Sequence, residues 1–233
     1  MLSHSVGVTI DAMSEISRLI RSFHKSLEAD AHHRYRSWGH CYSFFRRREQ
    51  LRASRDHDLC ALHLGFYLAS WGMYRGSSFL LWKDYKLHTS AVKELLKPQY
   101  DSLLDLDMES ETTTKAAIPR IVHLRDRLKA IYGDRVQSVI GHREKVKVTD
   151  TLVTKILLGV LACVPAYDTY VVKGMRRCEI SFSEVNAGQL SQLASFYRQH
   201  VHEFKGVRRV VREGHIRYPV MKLVDMYFWE KGH

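Results

Sequence analysis

The stretch TDTLVTKILLGVLACVPAYDTYV, Thr149 to Val171, carries the clearest pattern in the chain. Thr149 or Asp150 can cap a helix start, because a short oxygen side chain accepts from the free backbone N–H groups of a first turn. The apolar run behind it predicts a helix through Ala162, with Lys155 its only base. Pro165 suits the first position of a second helix over 165–174, since its fixed φ is already helical and its missing N–H is not needed there. An acid at Asp168 is then favoured by the helix dipole. Two consecutive apolar helices joined by a short link predict an all-α fold.

Working back from that stretch, helical periodicity continues. Helices are expected over 134–142 and 115–132. Residues 101–111 carry five acids and no base, followed by Thr112–Thr114. This solvated-looking segment is the natural boundary between two lobes, 1–110 and 111–233. Ser90 is a candidate cap for a helix that Pro98 interrupts. Residues 77–88 and 57–72 read as buried helices, apolar on nearly every side, with Gly72 and Gly76 in the turn between them. A helix over 31–50 places Tyr35, Trp38, Tyr42 and Phe45 inward, and one over 9–29 does the same with Ile16, Leu19, Ile20, Phe23 and Leu27. Toward the C-terminus, Ser181 and Glu184 have capping-box spacing ahead of a helix to about His200. Another helix covers 200–212, and Pro219 opens a last one to Lys231. Only 176–182 alternates as a strand would.

Thirty-six Lys and Arg against 25 Asp and Glu give a formal charge of +11 in 233 residues. That excess predicts attraction to polyanions. The longest apolar stretch, Leu152–Pro165, is broken by Thr154 and Lys155 and is too short for a membrane span of about 20 residues. The opening MLSHSVGVTIDAMSE has no basic segment followed by an apolar one, so no secretory signal is expected. Cys41, Cys60, Cys163 and Cys178 are scattered, which predicts reduced thiols, a cytoplasmic protein, and neither metal nor cofactor.

The arginines cluster. Residues 34–55 hold seven of them, including Arg46, Arg47 and Arg48, against Glu49 alone, and 198–217 include Arg208 and Arg209. A guanidinium can make two hydrogen bonds to one phosphate. Residues 66–85 add Phe66, Tyr67, Trp71, Tyr74, Phe79, Trp82 and Tyr85, with Arg75 among them. An unstacked base needs flat faces. Trp71 and Tyr74, beside the Gly72–Gly76 turn, are the expected base contacts.

Thr154-Lys155, followed by Val164-Pro165-Ala166-Tyr167-Asp168, resembles the catalytic half of the helix-hairpin-helix DNA glycosylase superfamily. Tyr218-Pro-Val-Met-Lys-Leu-Val-Asp-Met-Tyr-Phe-Trp229 is similar to the final helix of its small bacterial members. The resemblance covers roughly the C-terminal third. It implies a two-lobed helical domain, double-stranded DNA as partner, and excision of a modified or damaged base extruded from the duplex. Asp168 would be the essential aspartate, Lys155 the lysine that is a nucleophile in bifunctional members, and Tyr167 a neighbour of the base. Where the family carries a Gly-x-Gly hairpin, this chain has Gly141-His-Arg-Glu-Lys-Val-Lys-Val148, so His142, Arg143, Lys145 and Lys147 are expected to hold the phosphate. Lys155 and Asp168 are also closer in sequence than in the better-known lysine-bearing members. One bacterial relative removes glucosylated hydroxymethylcytosine from viral DNA, which makes modified phage DNA a candidate substrate. The enzyme is expected to act as a monomer.

Two other readings compete. Arg34-Tyr-Arg-Ser-Trp-Gly-His40 resembles the Arg/His element of helical HEPN ribonucleases, with His40 as acid and base and Arg34 on phosphate. A non-catalytic DNA-binding module would explain the charge alone.

Overall fold

The computed structural model describes residues 13–140 and 147–233, and is mostly helical. Eleven α-helices are described: α1 Glu15–Glu28, α2 Ser37–Phe45, α3 Arg48–Ser54, α4 His57–Ser70, α5 Thr89–Leu95, α6 Glu111–Ile140, α7 Asp150–Val160, α8 Thr169–Arg176, α9 Ala187–Gln199, α10 Val201–Val210 and α11 Val220–Gly232. The described strands form one hairpin, β1 Arg212–Glu213 and β2 Ile216–Arg217, antiparallel about Gly214. Among the described residues no helix is long and apolar enough to cross a membrane.

α7 is the axis of the core. Every residue from Leu152 to Val160 is buried, and the helix packs on α2, α4 and α6. Thr149 caps it by accepting from Leu152 N. Trp38 donates to Leu158 O at 3.0 Å and Tyr67 to Lys155 O at 3.0 Å, which ties α2 and α4 to α7. The buried apolar residues form one cluster that runs across residue 110, and α1 packs on α10 and α11.

Several expected elements differ, each for a local reason. The span 31–50 is a short turn at Arg34–Arg36, then α2, then α3, broken at Arg47 (ψ 44°). The break brings Arg48 inward, 2.7 Å from Asp101 and 2.6 Å from Leu95 O. The acidic run is therefore not merely solvated. Asp101 also binds Arg52, Asp105 accepts from Tyr42, and Glu109 pairs with Lys205.

Residues 77–88 form two 3-10 turns because Ser78 and Asp84 each accept from a backbone N–H two residues on, offering the chain an alternative to an α-helix. Nor are these segments covered on every side: Leu59, Leu62, Phe66 and Trp82 are exposed, Trp82 by 82%. Ser90 lies inside α5 rather than capping it, and the two helices expected over 115–132 and from 134 are one helix, Glu111–Ile140, through Pro119 and Gly133. α8 starts at Thr169, four residues after Pro165, and α9 is capped by Asn186 instead of Ser181. Residues 176–182 form no strand.

Candidate functional site

The segment between α7 and α8 is not helical, and several of its backbone groups are taken by tertiary partners. Ala166 N donates to Asp225 Oδ1 at 2.9 Å, and Tyr167 N donates to Thr154 Oγ1 at 2.9 Å. Thr151 Oγ1 donates to Tyr167 O at 2.9 Å. These bonds draw the N–H groups of 166 and 167 out of any helix and fix where α8 begins. Asp168 is its N-cap, with Oδ1 accepting from Tyr170 N and Val171 N, each at 3.1 Å. The second carboxylate oxygen remains, and it lies 3.9 Å from Lys155 Nζ.

Lys155 is buried on α7. Its ammonium donates to Trp71 O at 2.8 Å and lies 5.9 Å from the centre of the Trp71 ring. Burial pushes the Lys155 amine below its usual value, with Asp168 and Asp225 pulling the other way. Burial lifts the Asp168 carboxyl above the usual carboxylate range, against the pull of Lys155 and its two backbone donors. Both groups are thus moved toward neutrality by desolvation, as at many reactive centres.

Both open into one cavity of about 230 Å³. Its walls are aromatic: Phe23 from α1, Tyr35 from the Arg34–Arg36 turn, Trp71 after α4, Tyr170 from α8 and Trp229 from α11. Arg34 and Arg75 also line it. Beneath lies a second buried pair, Lys222 and Asp225, 2.8 Å apart and each 2% exposed. Lys222 Nζ sits 4.5 Å from the Trp71 ring centre and 5.0 Å from that of Phe23. The indole N–H of Trp71 is buried without a partner among the described residues.

Lys155, Asp168, Trp71 and Arg75 therefore meet at one cavity, though they come from well-separated parts of the chain. Tyr74 does not line it: its hydroxyl is 2.7 Å from His88 Nε2, and the other ring nitrogen of His88 is 2.7 Å from the Tyr132 hydroxyl. Tyr167 is buried against Phe182 and contributes backbone bonds, not a wall. Apart from Trp71, Gly72, Met73 and Arg75, the aromatic stretch 66–88 stands clear of the cavity.

Among the expected phosphate contacts, Arg46, Arg47, Arg75, Arg209 and Lys147 are exposed. Arg48 is 4% exposed and bound within the protein, and Arg208 donates to Tyr218 O at 2.8 Å. Arg48 is thus a structural residue, because a buried guanidinium needs its carboxylate. His142, Arg143 and Lys145 fall outside the described residues. Arg34 and His40 are not brought together: they line different cavities.

Sequence reasoning missed Phe23, Tyr35, Tyr170, Trp229 and Asp225 as site residues. One signal for Asp225 was present. Lys222 and Asp225 stand at i, i+3 on an otherwise apolar helix, and buried charge of that kind needs a reason. No protein family, curated protein or solved structure matches the chain.

Proposed function

We propose that the protein is a DNA glycosylase of the helix-hairpin-helix type that excises a modified base. The observation that carries this reading is the convergence of Asp168 and Lys155, 3.9 Å apart, on an aromatic-walled cavity. Cleavage of an N-glycosidic bond builds positive charge on the deoxyribose. A carboxylate facing C1′ stabilises that charge and orients the attacking water. Asp168 is that carboxylate: one oxygen holds the α8 N-terminus and the other is left for the reaction. Trp71, Tyr35 and Trp229 supply the flat faces for an extruded base. Arg34 and Arg75 meet the flanking phosphates, and the exposed Arg46, Arg47, Arg209 and Lys147 add charge that binds the duplex.

Hydrolysis by water is the favoured chemistry, because the Lys155 ammonium is already engaged by Trp71 O and Asp168. At about 230 Å³ the cavity is smaller than the roughly 300–1,000 Å³ sites that enclose drug-sized ligands, so it suits one base. A larger substituent, such as a sugar on the base, would project past Arg34 and Arg75.

The test is a set of duplexes and phage DNAs with defined base modifications, treated with protein and then hot alkali. New alkali-labile sites at one modification are expected. Binding across the whole set without any labile site would remove the assignment in favour of a non-catalytic module, and loss of RNA in a parallel reaction would favour a nuclease.

A further inference from the structure

A second cavity, of about 770 Å³, is lined by residues of α2, α4 and the β1–β2 hairpin and by Arg36 of the Arg34–Arg36 turn. We infer that it is a nucleotide site, separate from the aromatic cavity. The phosphate is held by Arg47, His40, His63 and His215, and the base lies over Leu59 and Ile216.

The argument begins with charge. Three imidazoles and two guanidinium groups line the cavity against one carboxylate, Glu213. The Glu213 carboxyl sits against Gly39, where a Cβ would stand 3.0 Å from it, and accepts from the Tyr218 hydroxyl at 3.2 Å. Burial raises its pKa, with Lys222, Arg36 and His40 pulling it down. Arg36 is occupied by Leu27 O and Asp30 O, at 2.5 and 3.1 Å. Arg47 has no carboxylate within ion-pair distance among the described residues, and its guanidinium lies 5.2 Å over Phe44. His63 stacks on Phe44, with ring centres 3.7 Å apart at 16°. Burial lowers its pKa, and Arg47 and His40 lower it further. With Glu213 set against Arg36 and His40, the exposed Arg47 and the neighbouring His63 and His215 line the cavity without a carboxylate partner of their own among the described residues, an arrangement that suits an external anion.

Size and lining extend that anion to a nucleotide. The cavity lies within the roughly 300–1,000 Å³ range of small-molecule sites, far larger than a phosphate needs. Ile216 and the half-exposed Leu59 give it an apolar floor on which a base can rest. The nucleotide is either free or one unit of a strand. A strand is favoured on the proposed function, because Arg34 and Arg36, on one turn, face the two cavities.

The experiment follows the histidine ring protons by NMR while the full chain is titrated with dAMP, deoxyadenosine, inorganic phosphate or a short single-stranded oligonucleotide. The His63 and His215 signals are expected to move saturably with dAMP, and at least tenfold less readily with deoxyadenosine or with phosphate alone. Arg47→Gln, checked for fold by circular dichroism, should weaken dAMP binding by about tenfold. An oligonucleotide that binds more tightly than dAMP identifies a strand; the reverse identifies a free nucleotide. In Asp168→Asn the same shifts persist, so failure here and failure of the glycosylase reading are separately visible. No shift with dAMP, or an equal response to deoxyadenosine or phosphate alone, overturns the site.

Discussion

Asp168 has two tasks, and substitution can separate them. Asparagine caps a helix as well as aspartate does, so Asp168→Asn keeps the bonds to Tyr170 N and Val171 N while removing the charge. Because burial raises this carboxyl, its ionised form costs stability at neutral pH: the folded state holds the proton more tightly than the unfolded one. Asp168→Asn should therefore melt at the same temperature as the parent or higher. Asp168→Ala should melt lower, by about 0.5–2 kcal/mol of lost cap. The reaction needs the carboxylate, so kcat/KM should fall on the acid side at a pH above the usual aspartate value of about 3.9. Lys155 is the main charge opposing that rise. Lys155→Met should move the acid limb to still higher pH, which a pH–rate profile will read; an unmoved limb would separate Lys155 from the carboxylate. Borohydride should trap no covalent DNA adduct if water is the nucleophile, and a trap lost in Lys155→Met would make Lys155 the nucleophile instead.

α7, the link after it and α8 form the frame for that residue, and α11 holds the frame in place. α8 and α11 approach so closely that a Cβ on Gly174 would collide with Phe228 O, and one on Gly232 with Tyr170 O. Backbone is on the far side of each contact, so no rotamer change relieves it. Gly174→Ala should cost more than the about 1–3 kcal/mol typical of overpacking, read as a lower midpoint in urea. It should also weaken base release, because Asp168 is the N-cap of α8. The helix of Thr149 to Ala162 was legible in sequence, since its cap and apolar run are local signals. The start of α8 was not: Pro165 permits a helix there, but Asp225, 59 residues from Ala166, takes the N–H that such a helix would leave free. The 3-10 turns at 79–82 and 85–88 were hidden for the opposite reason. There Ser78 and Asp84 act locally, while the apolar residues around them mimic a buried helix.

The molecule sorts its charge between binding and folding, and sequence alone does not distinguish the two. Arg47 and Arg48 are adjacent, yet one is exposed and the other buried against Asp101. Arg48→Ala leaves Leu95 O without its donor and Asp101 with Arg52 alone, and should cost about 1–3 kcal/mol in thermal stability. Arg47→Ala should leave stability unchanged and reduce the salt dependence of DNA binding by about one phosphate contact. Acid should also loosen the fold through His88, whose pKa burial lowers to about 4 between Tyr74 and Tyr132. An imidazole depressed from about 6.5 in the unfolded chain contributes stability that is full above that pH and lost as pH falls toward 4. The loss is about 3 kcal/mol by the 1.36 kcal/mol of each pKa unit. The melting temperature should drop over that window in the parent and less steeply in His88→Gln. Trp71 was legible in sequence beside its glycine turn, but Phe23, Tyr35, Tyr170 and Trp229 escaped because they come from separate places in the chain. The packing of α1 and α8 on α11 gathers Phe23, Tyr170 and Trp229. The most direct test compares base release by the parent and Asp168→Asn under single turnover, with enzyme saturating a DNA that carries the preferred modification. A fall of at least about 10²–10³ in rate with DNA affinity unchanged is the expected result; a variant that releases the base as fast as the parent would contradict the account.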